Sequence, residues 1–175
     1  MGKEKRDLRR LTNAAMMSAL VCIATLVIPI PIPGGGYANA GDIVLLVTAF
    51  VLSPGLAALA SGFGAAVADI ILGYSMYVPG TLVIKALAAL AAGLMIRWTK
   101  KHMKLVPAMI VAGICGELVM IAGYYGYEYA ILENAVAAAA GAIPNIIQGL
   151  AGIAGAAVLT PLMERILKTK KRIED

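Results

Sequence analysis

This chain has little of what aqueous chemistry at a protein surface needs. It holds one His, one Trp, two Phe and two Cys in 175 residues, and only 14% of its residues are charged. His102, Cys22 and Cys115 make no metal-ligand spacing, so no metal centre is expected. Each thiol falls within an apolar stretch and is read as buried and inert. A Gly-x-x-x-x-Gly-Lys-Ser/Thr loop is missing, as are a Ser/His/Asp set and a His-Glu-x-x-His pair. Those absences remove nucleotide hydrolysis by the P-loop route and the common hydrolytic constellations, so the chain is read as no enzyme and without a cofactor. Nor does it divide into matched halves with paired broken helices, as many self-sufficient carriers do.

What fills the space is apolar. Hydrophobic residues make up 61% of the chain, against roughly 45–50% in soluble domains, and the mean hydropathy is +0.85. That is the composition of an integral membrane protein. A bilayer core of about 30 Å takes about 20 helical residues, so the length suits about six spans in one membrane domain over residues 1–175. The net charge of +5 is not read as a nucleic-acid footprint, because the bases flank apolar runs instead of lining a folded face. The N-terminal basic and apolar stretch followed by Ala38-Asn39-Ala40 imitates a signal peptide. Its apolar run is too long and its supposed cleavage region too stretched, so it is read as the first span.

The expected fold is all-α with transmembrane helices at about 8–30, 42–53, 56–73, 81–97, 105–129 and 142–167. Pro29, Pro31 and Pro33 force an extended segment after the first helix, and Gly34 to Gly36 give a flexible connection. The second helix is short, stopping at Pro54-Gly55, and is tilted, broken or kinked. Residues 133–140 are expected to form a loop or a short helix.

Charge gives the orientation. All of the fifteen Lys and Arg except Lys85 fall in an N-terminal block, a block at 97–104 and a C-terminal block. With an even number of spans these blocks share one side, which the positive-inside rule makes cytoplasmic, together with both termini. The seven tyrosines have the opposite bias: Tyr37, Tyr74, Tyr77, Tyr124, Tyr125, Tyr127 and Tyr129 all lie toward the outer side. They form either an aromatic belt or, for some, a ligand-facing set.

Polar groups converge in the outer half. Lys85 lies about one turn into the fourth span, Asp69 near the end of the third and Asp42 at the start of the second. Asn145 and Gln148 share a face of the sixth span, and Glu117, Tyr124 and Glu128 share a face of the fifth. Charges inside a bilayer are costly unless paired or wetted, so this convergence implies a polar cavity open to the outside. Lys85 is read as a ligand contact, as the partner of Asp69 or Glu117, or as a side chain snorkelling to headgroups. Asp42 could cap its own helix. A self-sufficient channel or proton-coupled carrier, with Glu117 as relay, is the competing function.

The chain resembles the substrate-binding S-components of energy-coupling factor (ECF) vitamin transporters over nearly its whole length. The likeness rests on Ala15-x-x-x-Ala19, Gly36-Tyr37-Ala38-Asn39-Ala40-Gly41-Asp42, Ser53-Pro54-Gly55 and Ala68-Asp69-Ile70-Ile71-Leu72-Gly73-Tyr74. Tyr77-x-Pro79-x-Thr81-Leu82-x-x-Lys85, followed by Pro144-Asn145-Ile146-Ile147-Gln148, looks like the riboflavin-type and hydroxymethylpyrimidine- or pyridoxine-type branch. The resemblance implies a six-helix module in a prokaryotic plasma membrane. Such a module binds a vitamin from outside and docks on a membrane T-component carrying two cytoplasmic ATPases. It implies Ala15 and Ala19 as the docking contacts and residues 31–40 as a lid. The ligand would lie near the outer ends of helices four to six, where Lys85, Tyr124, Asn145 and Gln148 stand. With Tyr37, Asn39, Tyr77 and Glu128, these are the candidate ligand contacts.

Overall fold

The computed structural model describes residues 3–31 and 37–174. Its elements are α1 (Lys3–Val27), β1 (Ile30–Pro31), β2 (Tyr37–Ala38), α2 (Gly41–Val51), α3 (Pro54–Leu72), α4 (Val78–Thr99), α5 (Leu105–Leu132) and α6 (Ala135–Glu174). Five helices, all but α2, are long and apolar enough to cross a membrane. The fold is thus nearly all helical, with one addition to the expected all-α architecture. β1 and β2 pair antiparallel, with Ile30 opposite Ala38 and Pro31 opposite Tyr37. Helix α1 stops at Val27, short of the expected residue 30, because Pro29 and Pro31 exclude helix there. Of the expected lid, 32–36 and with them the glycine connection 34–36 lie outside the described residues.

Helix α2 has 11 residues, or about 16 Å of rise, roughly half the bilayer core. It packs on α1, α3, α4, α5 and α6, so it is the buried centre of the bundle. Leu45 is 1% exposed and Leu46 fully buried. Around them gather Met17 of α1, Ala57 and Ala60 of α3, Ala89, Ala92 and Ile96 of α4, Met109 and Ala112 of α5, and Ala156 of α6. Alanine dominates this core because helices that pack in lipid gain by close approach and not by expelling water. A Cβ on Gly64 would fall on the Ser18 carbonyl of α1, and one on Gly116 would lie 3.0 Å from the Ala88 carbonyl of α4.

Local chemistry explains the helix ends. Pro54 starts α3, where its fixed φ suits the first turn and its missing N–H is no loss. Gly73 ends α3 at φ 82, a left-handed conformation in which its own N–H and that of Tyr74 return to the Ile70 and Asp69 carbonyls. Helix α6 begins at Ala135, earlier than the expected start near 142, so most of 133–140, expected as a loop or a short helix, is part of it. Asn134 Oδ1 accepts the N–H groups of Val136 and Ala137 at 3.0 and 3.1 Å, capping a helix that then runs straight through Pro144. An alanine-rich first turn favours helix, and membrane helices tolerate an internal proline where neighbours satisfy the freed carbonyl.

The basic segments gather at one end. Arg97 Nη2 donates to the Leu52 carbonyl at 3.0 Å, and Lys100 stands 4.0 Å from Glu164 of α6. Ala14 and Met17 of α1 share the apolar cluster that contains Leu52 and Ala108, which brings the start of α1 to the same end. Tyr37, Tyr74, Tyr77 and Tyr127 lie at the other, as a chain of rings with successive centroids 4.7, 6.2 and 6.2 Å apart.

Candidate functional site

Behind that chain of tyrosines is a cavity with about 30 Å³ of room, far below the ~300–1,000 Å³ usual for open ligand pockets. Its wall includes Lys85, Asn145, Gln148, Tyr77, Tyr124, Glu128, Asn39 and Tyr37, so the structure brings all of the candidate ligand contacts together. Each arrives by simple helical arithmetic. Tyr77, Thr81 and Lys85 recur every fourth residue along the start of α4 and present one face. Asn145 and Gln148, three apart on α6, point the same way. Glu128 is buried on α5, its carboxylate lying against Gly141 of α6, where a side chain would collide with it.

Lys85 has a partner, and it is neither Asp69 nor Glu117. Its Nζ donates to Asp42 Oδ1 at 2.5 Å, with both side chains nearly inaccessible. The second Asp42 oxygen accepts from Gln148 Nε2 at 2.5 Å. Asp42 therefore does not cap its own helix: Ala40 occupies the N-cap position without a side-chain bond, and Asn39 Oδ1 takes the Gly41 N–H at 2.8 Å. Because α2 is too short to span, its first turn begins inside the bundle at the depth of Lys85. Lys85 also stands 5.5 Å from the Tyr124 ring centroid, within cation–π range.

Two further bonds tie the β2 segment across the opening. Gln148 Oε1 accepts the backbone N–H of Asn39, and Tyr37 donates its hydroxyl to Asp69 Oδ1, each at 2.6 Å. Burial, helped by the neighbouring Asp69 carboxylate, pushes the Tyr37 hydroxyl pKa up, which keeps it a donor. Tyr124 and Thr81 share a hydroxyl–hydroxyl bond of 2.9 Å.

Thr25, Ala65, Asp69 and Thr81 complete the wall and were not among the expected contacts. Thr81 and Ala65 were legible in principle, each four residues before a charged residue, Lys85 and Asp69, on its own helix. Thr25 gave no signal, since its hydroxyl bonds the Val21 carbonyl of its own helix at 2.8 Å. The tyrosines divide. Tyr37, Tyr77 and Tyr124 line the cavity, whereas Tyr125 and Tyr129 face outward, 42% and 53% exposed. Glu117 is buried deeper, against Gly149 and Gly152, and its Oε2 has no hydrogen-bond partner among the described residues. Among those residues no three His, Cys, Asp or Glu side chains gather as a metal ion would require.

Ala15 and Ala19 lie elsewhere. Both are exposed on the outward face of α1, next to Met16 and Leu20, while Ala14, Met17 and Val21 turn into the bundle.

A family model described as the ECF-type riboflavin transporter, S component, matches residues 5–166. An uncharacterised protein of Pyrococcus woesei is 33% identical over 76% of this chain and 86% of its own length. The thiamine precursor transporter HmpT of Lactococcus lactis is 28% identical over 93% of this chain and 92% of its own. Two solved structures share the fold. One is described as the S component of a bacterial ECF transporter, at TM-score 0.64 and 19% identity over 93% of this chain and 97% of that one. The other is an S-component for biotin, at TM-score 0.68 and 15% identity over 94% and 95%.

Proposed function

This chain belongs to the family of ECF-type riboflavin transporter S components, and from that premise we propose that it captures a small planar heteroaromatic vitamin or precursor from outside the cell. The ligand is of riboflavin type or of pyridoxine or hydroxymethylpyrimidine type. As an S component the chain is a substrate-binding subunit and not itself an enzyme. The observation that carries the reading is the cavity itself. Tyrosine rings, amide side chains and an ion pair drawn from separate helices meet at one end of the bundle, and β2 is bonded across the opening. Tyr77 and Tyr124 offer surfaces for stacking, and Lys85, Asn145, Gln148 and Glu128 offer polar contacts. Tyr37 and Asn39 close over the ligand and exclude water.

The basic end faces the cytoplasm in a six-span topology, with α2 as the partial span and both termini inside. The exposed small residues Ala15 and Ala19 let a helix of the T-component approach α1 closely. ATP turnover by two ATPases on that scaffold then reorients the module to release ligand inward.

Mass spectrometry of small molecules extracted from the purified protein tests the capture step: a vitamin-sized heteroaromatic compound is expected. Reconstitution alone in liposomes should give binding without steady transport. Sustained solute flux with no ATPase present would instead establish a self-sufficient carrier.

A further inference from the structure

The buried charged side chains among the described residues are Asp42, Asp69, Lys85, Glu117 and Glu128, four carboxyls against one ammonium. Lys85 is neutralised by Asp42, whose remaining oxygen is held by Gln148. The charge left on the cavity wall is therefore acidic. Asp69 and Glu128 both line the cavity, and neither has an ion-pair partner among the described residues. Lys85 attracts Asp69 only at longer range.

Asp69 carries the sharper observation. It is 2% exposed, its Oδ1 accepts the Tyr37 hydroxyl, and its Oδ2 has no hydrogen-bond partner among the described residues. Thr81 stands beside it, with a hydroxyl that can accept from Tyr124 and donate toward Asp69. A buried carboxylate oxygen without a donor keeps its desolvation cost until something supplies an N–H or O–H. Glu128 faces the bare backbone of Gly141, so α6 places no side chain over its carboxylate. Tyr77 stands within electrostatic reach of both acids, beside an aromatic surface on which a flat ring can rest.

We propose that this cavity selects a compact heteroaromatic ring that presents an amino group or protonated ring nitrogen to Asp69 and Glu128, and discriminates against rings carrying phosphate or carboxylate. The proposal rests on the vitamin-capture reading and narrows its ligand class. An amidine-like edge, a ring nitrogen next to an exocyclic amine, offers paired donors of the geometry a carboxylate accepts. An anionic substituent would instead meet two carboxyls with no uncommitted buried cation among the described residues to offset them. Were these carboxyls protonated, they would favour a carbonyl-rich ring, and the oxo and riboflavin probes below separate that case from the ionised one.

Calorimetric titration of the full chain in detergent decides between these cases. Four probes suffice: 4-amino-5-hydroxymethyl-2-methylpyrimidine, its 4-oxo counterpart, its phosphate monoester, and riboflavin as a carbonyl-rich ring. The amine should bind at least ~10-fold tighter than the oxo compound and ~100-fold tighter than the ester, differences on the scale of one or two charged hydrogen bonds. Asp69→Asn should narrow the amine-to-oxo ratio to within about threefold, as should Glu128→Gln, which serves if the first variant does not fold. Tightest binding by the oxo compound, the ester or riboflavin overturns the proposal and leaves vitamin capture standing. If no probe binds, the small molecule extracted from the protein decides: an amine-bearing ring supports the proposal and an amine-free one overturns it. Absence of both probe binding and any extracted ligand removes the proposal and the capture reading together.

Discussion

Gln148 holds Asn39 across the top of the bundle: its side-chain oxygen accepts the Asn39 backbone N–H at 2.6 Å, although 109 positions separate them. The same side chain donates through its nitrogen to Asp42. One amide therefore joins the β2 segment, the first turn of α2 and the Lys85 ion pair. The β2 segment is thus bonded to the cavity wall.

That arrangement makes Gln148→Ala a test of closure. It removes both bonds, so a bound ligand should dissociate faster and Kd should rise by about 10-fold, the scale of one or two net hydrogen bonds. Stopped-flow displacement with the co-purifying vitamin reads this directly. An unchanged off-rate would mean that the β2 segment does not close the site.

Lys85 has a double role to separate. Lys85→Met leaves Asp42 buried without its counter-charge and should destabilise the fold by about 3–5 kcal/mol, seen as a lower Tm in detergent. Adding Asp42→Asn removes the stranded charge and should restore most of the loss. If the single variant melts like the parent, the pair is not structural.

The close helix contacts predict a contrast between two glycines. A Cβ at Gly64 meets the Ser18 carbonyl, whereas a Cβ at Gly55 meets nothing within 4 Å. Gly64→Ala should cost about 1–3 kcal/mol by overpacking, and Gly55→Ala should be neutral or slightly stabilising. Equal thermal shifts for the two would contradict the α1–α3 packing.

The exposed face of α1 can be blocked without touching the cavity. Ala15→Trp should leave ligand affinity within about twofold, since the residue is remote from the site, and should abolish uptake in cells carrying the complete transporter. Uptake at the parent level would remove Ala15 from the docking surface.

Orientation is open to labelling. Cysteine introduced as His102→Cys should react with a membrane-impermeant thiol reagent only after permeabilisation. Cysteine introduced as Ser75→Cys, at the tyrosine end, should react in intact cells. The reverse pattern would invert the topology.

Much of the molecule was legible beforehand. Long apolar runs give the spans, clustered cations give the shared end, and the prolines after residue 28 give the break that ends α1. The candidate contacts could be gathered because helical spacing says which residues share a face and depth along the helix says which level they reach. The start of α6 was missed. Residues 133–140 read as a loop or a short helix, yet Asn134 and the alanines after it start the long helix there, and a membrane bundle tolerates Pro144 within it.

Sequence by itself determined where the chain is apolar, which end is basic and which end holds the tyrosines, because those properties follow from local composition and helical period. Tertiary structure alone decided that Lys85 belongs to Asp42, that Asp69 keeps a buried oxygen without a hydrogen-bond partner among the described residues, and that Tyr77 faces inward while Tyr129 faces out. The physical reason is that periodicity sets the face a side chain occupies but not the helix that face meets. Here the deciding neighbour is α2, a helix too short to span, whose first turn delivers a carboxylate into the interior at the level of Lys85.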